Sequence, residues 1–200
     1  MISGEEQAWE KLAKLHPGDV CRRARVDYDP STGCYVLRCF SGDIHISLEQ
    51  RSMAGNSPAG RYLLEDLDHL SRLSILWYLN NAKNASLSGE LVKPGELPGG
   101  EIFLKGSHVL PLQEIASKYG GNPEGFLTRG HDLGGEPMEY GDAALRLSPF
   151  PRVPVILILR EKDEEFPANA DLLLDSTSSL HLPTDIIWST AMVTVKMILK

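Results

Sequence analysis

The sequence is poor in cysteine: three occur in 200 residues, Cys21, Cys34 and Cys39. An odd number without a recognisable disulfide spacing excludes a disulfide-stapled scaffold and fits a reducing compartment, so a cytoplasmic protein is expected. Three cysteines are also one short of the four thiolates that hold an iron–sulfur cluster within one chain. Cys34 and Cys39 lie in a segment that reads as a strand. Their spacing turns them to opposite faces, roughly 16 Å apart at ~3.3 Å per residue, and they do not chelate one ion together.

Long hydrophobic runs are missing as well. The most apolar stretch, Val153 to Leu159, is far shorter than the roughly 20 residues a membrane-spanning helix needs, and it contains Pro154, so no membrane partner is expected. The first residues carry Glu5, Glu6 and Glu10 rather than the basic-then-apolar order of a secretory signal. Positive charge is scarce: 20 basic against 27 acidic residues give a net charge of -7, which repels polyanions and makes nucleic acid a poor partner. The one basic cluster, Arg22, Arg23 and Arg25, is read as the solvated start of a strand.

The common catalytic signatures are absent. No phosphate-cradling glycine loop ends in Lys-Ser/Thr, and no glycine fingerprint joins a strand to a helix. Gly99-Gly100, Gly120-Gly121 and Gly134-Gly135 read as turn or helix-end glycines. A serine-hydrolase elbow, a His-Glu-x-x-His helix and paired Cys-x-x-Cys knuckles are missing too. The usual hydrolase, kinase, dehydrogenase and zinc-finger classes therefore fall.

What is present is an ordinary globular composition, 42% hydrophobic and 24% charged, enough to bury one core without staples. The patterns predict a single α+β domain over residues 1–200, with mostly antiparallel sheet packed against a long central helix and a C-terminal helix. A helix over Met1–His16 shows an apolar face at Trp9, Leu12 and Ala13 and ends at Pro17-Gly18. Alternation around Ala24–Tyr28, Tyr35–Cys39 and Ile44–Leu48 predicts a three-stranded meander, completing a unit at residues 1–50 with His45 on its solvent side. Residues 52–60 read as a loop, and an α+β core fills 61–200. In that core a long helix is expected over Arg61–Ala82, where Glu65 and His69 make a local pair. Strand-like patterning follows over Leu87–Leu104, then helices at Val109–Tyr119 and from Asn122-Pro123 to Gly134-Gly135. Strands are expected at Asp142–Phe150, Arg152–Leu159 and Ala170–Leu174. Pro183-Thr184-Asp185 opens a closing helix over Ile186–Leu199, although the β-branched stretch Val193–Met197 also fits a strand.

The densest polar constellation is Asp163, Glu164 and Glu165. Three adjacent carboxylates suit open water, a hard cation or a cationic partner. Phe166-Pro167 beside them argues for a loop pinned to the body. Asp175 and Asp142, at strand boundaries, are further oxygen donors and also ordinary turn residues. Arg152 leads into the buried strand and is expected to form a structural ion pair with Asp163 or Asp175. Histidine is the side chain best suited to proton transfer near neutral pH, which makes His131 and His108 the acid–base candidates; single histidines near helix ends are more often caps.

Leu97-Pro98-Gly99-Gly100, Leu133-Gly134-Gly135, Phe150-Pro151-Arg152-Val153-Pro154, Asp163-Glu164-Glu165-Phe166-Pro167, Leu174-Asp175 and Leu182-Pro183 occur in this order. That succession resembles an uncharacterised prokaryotic family, one of the catalogued domains of unknown function common in anaerobic bacteria and archaea. Some of its members are joined to, or encoded near, iron–sulfur proteins similar to those that handle corrinoids in one-carbon metabolism. The resemblance thus implies a separate corrinoid or iron–sulfur protein as partner, while assigning no catalytic residue and no cofactor.

Three functional expectations follow. The first is a binding or accessory module that presents the loop around Asp163–Glu165 to such a partner. The second is a metal-dependent enzyme whose ion is held by Asp163, Glu165 and Asp175, with Arg152 or His131 steering a substrate. The third is a homodimeric interaction protein that associates through an apolar surface.

Overall fold

The computed structural model describes residues 4–104 and 106–200. Its first helix, α1 (Gly4–Leu12), buries Ala8, Trp9 and Leu12, the apolar face expected from the sequence; Met1 to Ser3 of the expected helix lie outside the described residues. Pro17-Gly18 does more than end this helix. His16 caps a second one, α2 (Pro17–Ala24), by accepting the Gly18 N–H at 3.2 Å, with proline in its first turn and an Asp19–Arg22 pair at 2.7 Å. The arginines expected to begin a strand therefore lie on this helix and just after it, where Arg25 takes a left-handed φ of 53°.

The meander has four strands, β1 (Asp27–Asp29), β2 (Cys34–Cys39), β3 (Gly42–Ser47) and β4 (Ser52–Gly55), paired antiparallel in that order. Along β2, Tyr35, Leu37 and Cys39 are buried while Cys34 faces the other way, as the alternation requires. The expected loop over 52–60 is instead β4 plus a helix start: the Ser57 hydroxyl accepts the Gly60 N–H at 2.9 Å and opens α3 (Pro58–Glu65). The long helix predicted over 61–82 is broken. The Leu67 N–H goes to the Tyr62 carbonyl, and the Leu63 carbonyl takes the Ser71 hydroxyl at 2.6 Å. The chain then restarts as α4 (Asp68–Asn81), which packs against α1.

Of the strand-like pattern over 87–104, only β5 (Leu91–Val92) is a strand; Pro94–Glu96 and Gly100–Leu104 are tight 3-10 turns. Pro94 and Pro98 have no N–H to continue a ladder. Gly99 sits at φ +73°, and the Thr184 hydroxyl ties down the Pro98 carbonyl at 2.7 Å. Two helices follow, α5 (Leu112–Tyr119) and α6 (Pro123–Asp132), the second capped by Asn122 as its sequence predicts.

Strands β6 (Glu136–Met138), β7 (Ala143–Phe150), β8 (Val153–Arg160) and β9 (Asn169–Asp175) join β5 in a second antiparallel sheet ordered β5-β9-β8-β7-β6. A one-turn helix, α7 (Ser178–His181), precedes the closing helix α8 (Thr184–Leu199), which packs on α4. The strand alternative for Val193–Met197 is thereby excluded. Buried Thr190 and Thr194 are compatible with the helix because each hydroxyl donates to the carbonyl four residues earlier, both at 2.8 Å.

The fold is the expected α+β class. Leu145, Leu147, Val155, Leu157, Leu172 and Leu174 face a core shared with α8 and α4. Ala144, Ile156 and Ile158 make a smaller cluster on the opposite side of the sheet with Leu91, Met138 and Leu173. The two sheets abut where the Phe40 N–H donates to the Ser148 carbonyl at 2.9 Å.

Candidate functional site

Residues 82–90 carry no regular structure, yet buried polar side chains hold them at three places. Arg152, in the turn between β7 and β8, sends its guanidinium into this segment. It donates to the Ala85 carbonyl at 2.6 Å and to Asn84 Oδ1 at 2.8 Å. The same side chain reaches the last turn of α2, donating to the Arg23 carbonyl at 2.5 Å and the Arg22 carbonyl at 3.3 Å. The neighbouring Ala24 carbonyl receives the Tyr78 hydroxyl at 2.7 Å, so the open carbonyls of α2 are satisfied by side chains. A cation at the negative end of a helix is favourable without a carboxylate. Neither Asp163 nor Asp175 pairs with Arg152, contrary to the expected ion pair. Burial and the nearby Arg25 charge hold its pKa below the ordinary arginine value.

Asp175, at the end of β9, fastens the other end of the segment. Its carboxylate accepts five hydrogen bonds: from Ser88 N–H and hydroxyl, Gly89 N–H, and Thr177 N–H and hydroxyl. Burial pushes this carboxyl up, but the hydrogen bonds outweigh it and hold the pKa down to about 2. At the start of the segment, His181 accepts the Lys83 N–H on Nδ1 at 3.1 Å, which places its proton on Nε2. Burial, reinforced by the Arg152 charge, pulls its pKa down to about 4.

The acidic segment lies at the opposite end of β8 and β9. Asp163 Oδ1 accepts the N–H groups of Glu165 at 2.8 Å and Phe166 at 2.7 Å, and the Asp163 N–H returns to the Phe166 carbonyl at 3.0 Å. Those donors lower the Asp163 pKa. At the base of the turn, Asp142 accepts the Glu161 N–H at 2.7 Å and Arg160 bonds Asp171. The tip is thus tied to itself and to the sheet, and it holds the Phe166 side chain 65% exposed to solvent.

The structure gathers Asp163, Glu164, Glu165 and Phe166 on one tip but separates them from Arg152 and Asp175 by the length of β9, roughly 20 Å at ~3.3 Å per residue. The expected metal site from Asp163, Glu165 and Asp175 is therefore not assembled. Among the described residues no group of three or more His, Cys, Asp or Glu side chains could hold a metal ion. His131 is exposed in the last turn of α6. The His108 carbonyl receives the Trp188 indole N–H at 2.7 Å and its ring meets the Trp188 ring edge-on, a packing role. Sequence reasoning missed His181 and the anchoring of 82–90. The available signal was Asp175-Ser176-Thr177, an Asx-turn sequence whose aspartate also suits backbone N–H groups from a passing segment.

Two outcomes follow from this network. Replacing Arg152 by Met leaves carbonyls of α2 and of Ala85 buried without donors and is expected to cost about 3–5 kcal/mol in urea unfolding. For His181, the unfolded chain binds its proton near pH 6.5 and the folded chain only near pH 4. The stability it permits is complete above pH 6.5 and declines as pH falls towards 4, by about 3 kcal/mol in all. His181→Asn, which keeps an acceptor for the Lys83 N–H, should remove that part of the slope in urea melts taken across this range.

No curated protein and no solved structure matches the chain. A family model, described as a domain of unknown function, matches residues 16–197, and this chain belongs to that family, DUF3786.

Proposed function

We propose that the protein is a binding module that docks a partner protein through the β8–β9 tip. The observation that carries this reading is Phe166: a large aromatic side chain held in solvent on a turn that Asp163 has locked. A turn whose backbone is already fixed has less conformational freedom to lose on binding, and exposed aromatic anchors carry a large share of interface energy. Around it, residues 161–165 supply Glu161, Asp163, Glu164 and Glu165 against a single Lys162. The complementary surface is an apolar pocket rimmed by Lys or Arg, and the carboxylates steer its approach in a salt-dependent way.

The resemblance supplies a candidate for the partner, a separate corrinoid or iron–sulfur protein. The three free cysteines fit action in a reducing, cytoplasmic setting, with any such cofactor carried by the partner. The test is capture of a corrinoid or iron–sulfur polypeptide on the intact chain, followed by interferometry with that polypeptide purified. Phe166→Ala is expected to weaken binding by tenfold or more. Changing Asp163, Glu164 and Glu165 to their amides should slow association most at low salt. Wild-type affinity in both variants would contradict the reading.

A further inference from the structure

Where the turn Pro94–Glu96 meets Gly100, backbone is stacked directly on backbone. A Cβ on Gly100 would collide with the Pro94 carbonyl oxygen and lie 2.9 Å from Gly95. The chain that follows is fixed in turn, because the Pro98 carbonyl accepts the Thr184 hydroxyl at 2.7 Å. The turn and α5 both pack beside β9, and the space they leave is a crevice of about 370 Å³. That volume is at the small end of ligand pockets, which run from roughly 300 to 1,000 Å³.

The crevice is walled by apolar side chains. Phe103, Leu110 and Leu172 are core residues that show it only their outer edges, Leu112 is half-buried, and Val109 is 54% exposed. Two charges of opposite sign line it from the turn itself, Lys93 at the start and Glu96 at the end. Glu96 Oε2 accepts the Lys93 backbone N–H at 2.7 Å. Among the described residues, neither the Lys93 ammonium nor Glu96 Oε1 has a hydrogen-bond or ion-pair partner, and the two do not pair with each other. Asp171 also lines the crevice, with its carboxylate bonded by Arg160.

We infer that this crevice binds a free apolar α-amino acid, its side chain against the apolar wall and its zwitterionic head on the turn. A purely anionic head would meet Glu96 and a purely cationic one Lys93, and like charges so placed oppose binding. A ligand with no charged head would cover both groups without replacing the water they lose. An α-amino acid carries both signs on adjacent atoms: its carboxylate accepts from Lys93 and its ammonium donates to Glu96 Oε1. The turn, β9 and α5 are fixed before the ligand arrives, so little ordering opposes the contact. The site shares no residue with the β8–β9 tip, and binding there does not depend on Phe166.

The probes are leucine, methionine and phenylalanine, titrated into the 15N-labelled full chain, each beside the matching amine that lacks the carboxylate and the matching acid that lacks the ammonium. At least one amino acid is expected to shift the Gly95, Val109 and Leu172 amides, and its amine and acid to bind tenfold or more weakly. Lys93→Gln should weaken the amino acid and leave the amine unchanged. Glu96→Gln, which keeps an acceptor for the Lys93 N–H, should weaken the amino acid and leave the acid unchanged. Val109→Asp, at an exposed position where folding is not at stake, should weaken all three. No shift with any of the amino acids, shifts confined to other amides, or an amine or acid that binds as tightly as its amino acid would overturn the inference.

Discussion

A guanidinium with no carboxylate beside it holds the centre of this molecule together. Arg152 leaves the β7–β8 turn and is almost fully buried, which for an arginine is costly unless its N–H groups are used. They are used on backbone: two carbonyls at the end of α2 and one on the 82–90 segment, with Asn84 completing the set. Arg23 repeats the device one layer away, donating to the Ala82 carbonyl at 2.6 Å at the end of α4. Helix ends that converge on the sheet thus present their negative poles to arginine side chains. Elements distant in the sequence are locked together by groups that every residue possesses.

The path of residues 82–90 follows from that lock. Arg152 holds its middle, His181 its beginning and Asp175 its end, so the segment reaches β9 at one place and leaves just two residues of β5 paired there. The proline at 94 then turns the chain out of the sheet. At the far end of β9 stands the turn that carries Phe166. The buried network and the exposed tip lie at opposite ends of the same strand, and the proposed function rests on the tip.

Several elements were legible because their signals are local. Asn122-Pro123 marks the start of α6, period-two alternation marks β7, and an unbroken apolar run marks β8. The grouping of Asp163 to Phe166 on one pinned tip could also be read, since a turn joins two adjacent strands. Other features were hidden for identifiable reasons. Pro17-Gly18 reads as a helix stop, but His16 makes the same dipeptide a helix start. The break between α3 and α4 depends on the Ser71 hydroxyl reaching the Leu63 carbonyl, which no periodicity reveals. Arg152 invites an ion-pair reading because side-chain partners carry a residue signature and carbonyl partners carry none. Asp175 was recognisable as a turn residue, but its grip on Ser88 and Gly89 depends on a contact across more than eighty positions.

The central claim is that Arg152 locks the end of α2 to residues 82–90 through backbone carbonyls, and native-state hydrogen exchange of Arg152→Met beside the wild-type protein tests it most directly. The Lys83, Ser88 and Gly89 N–H groups are bonded to His181 and Asp175 along the segment that Arg152 holds. The account predicts markedly faster exchange at these three amides in the variant. Unchanged protection at all three would contradict it.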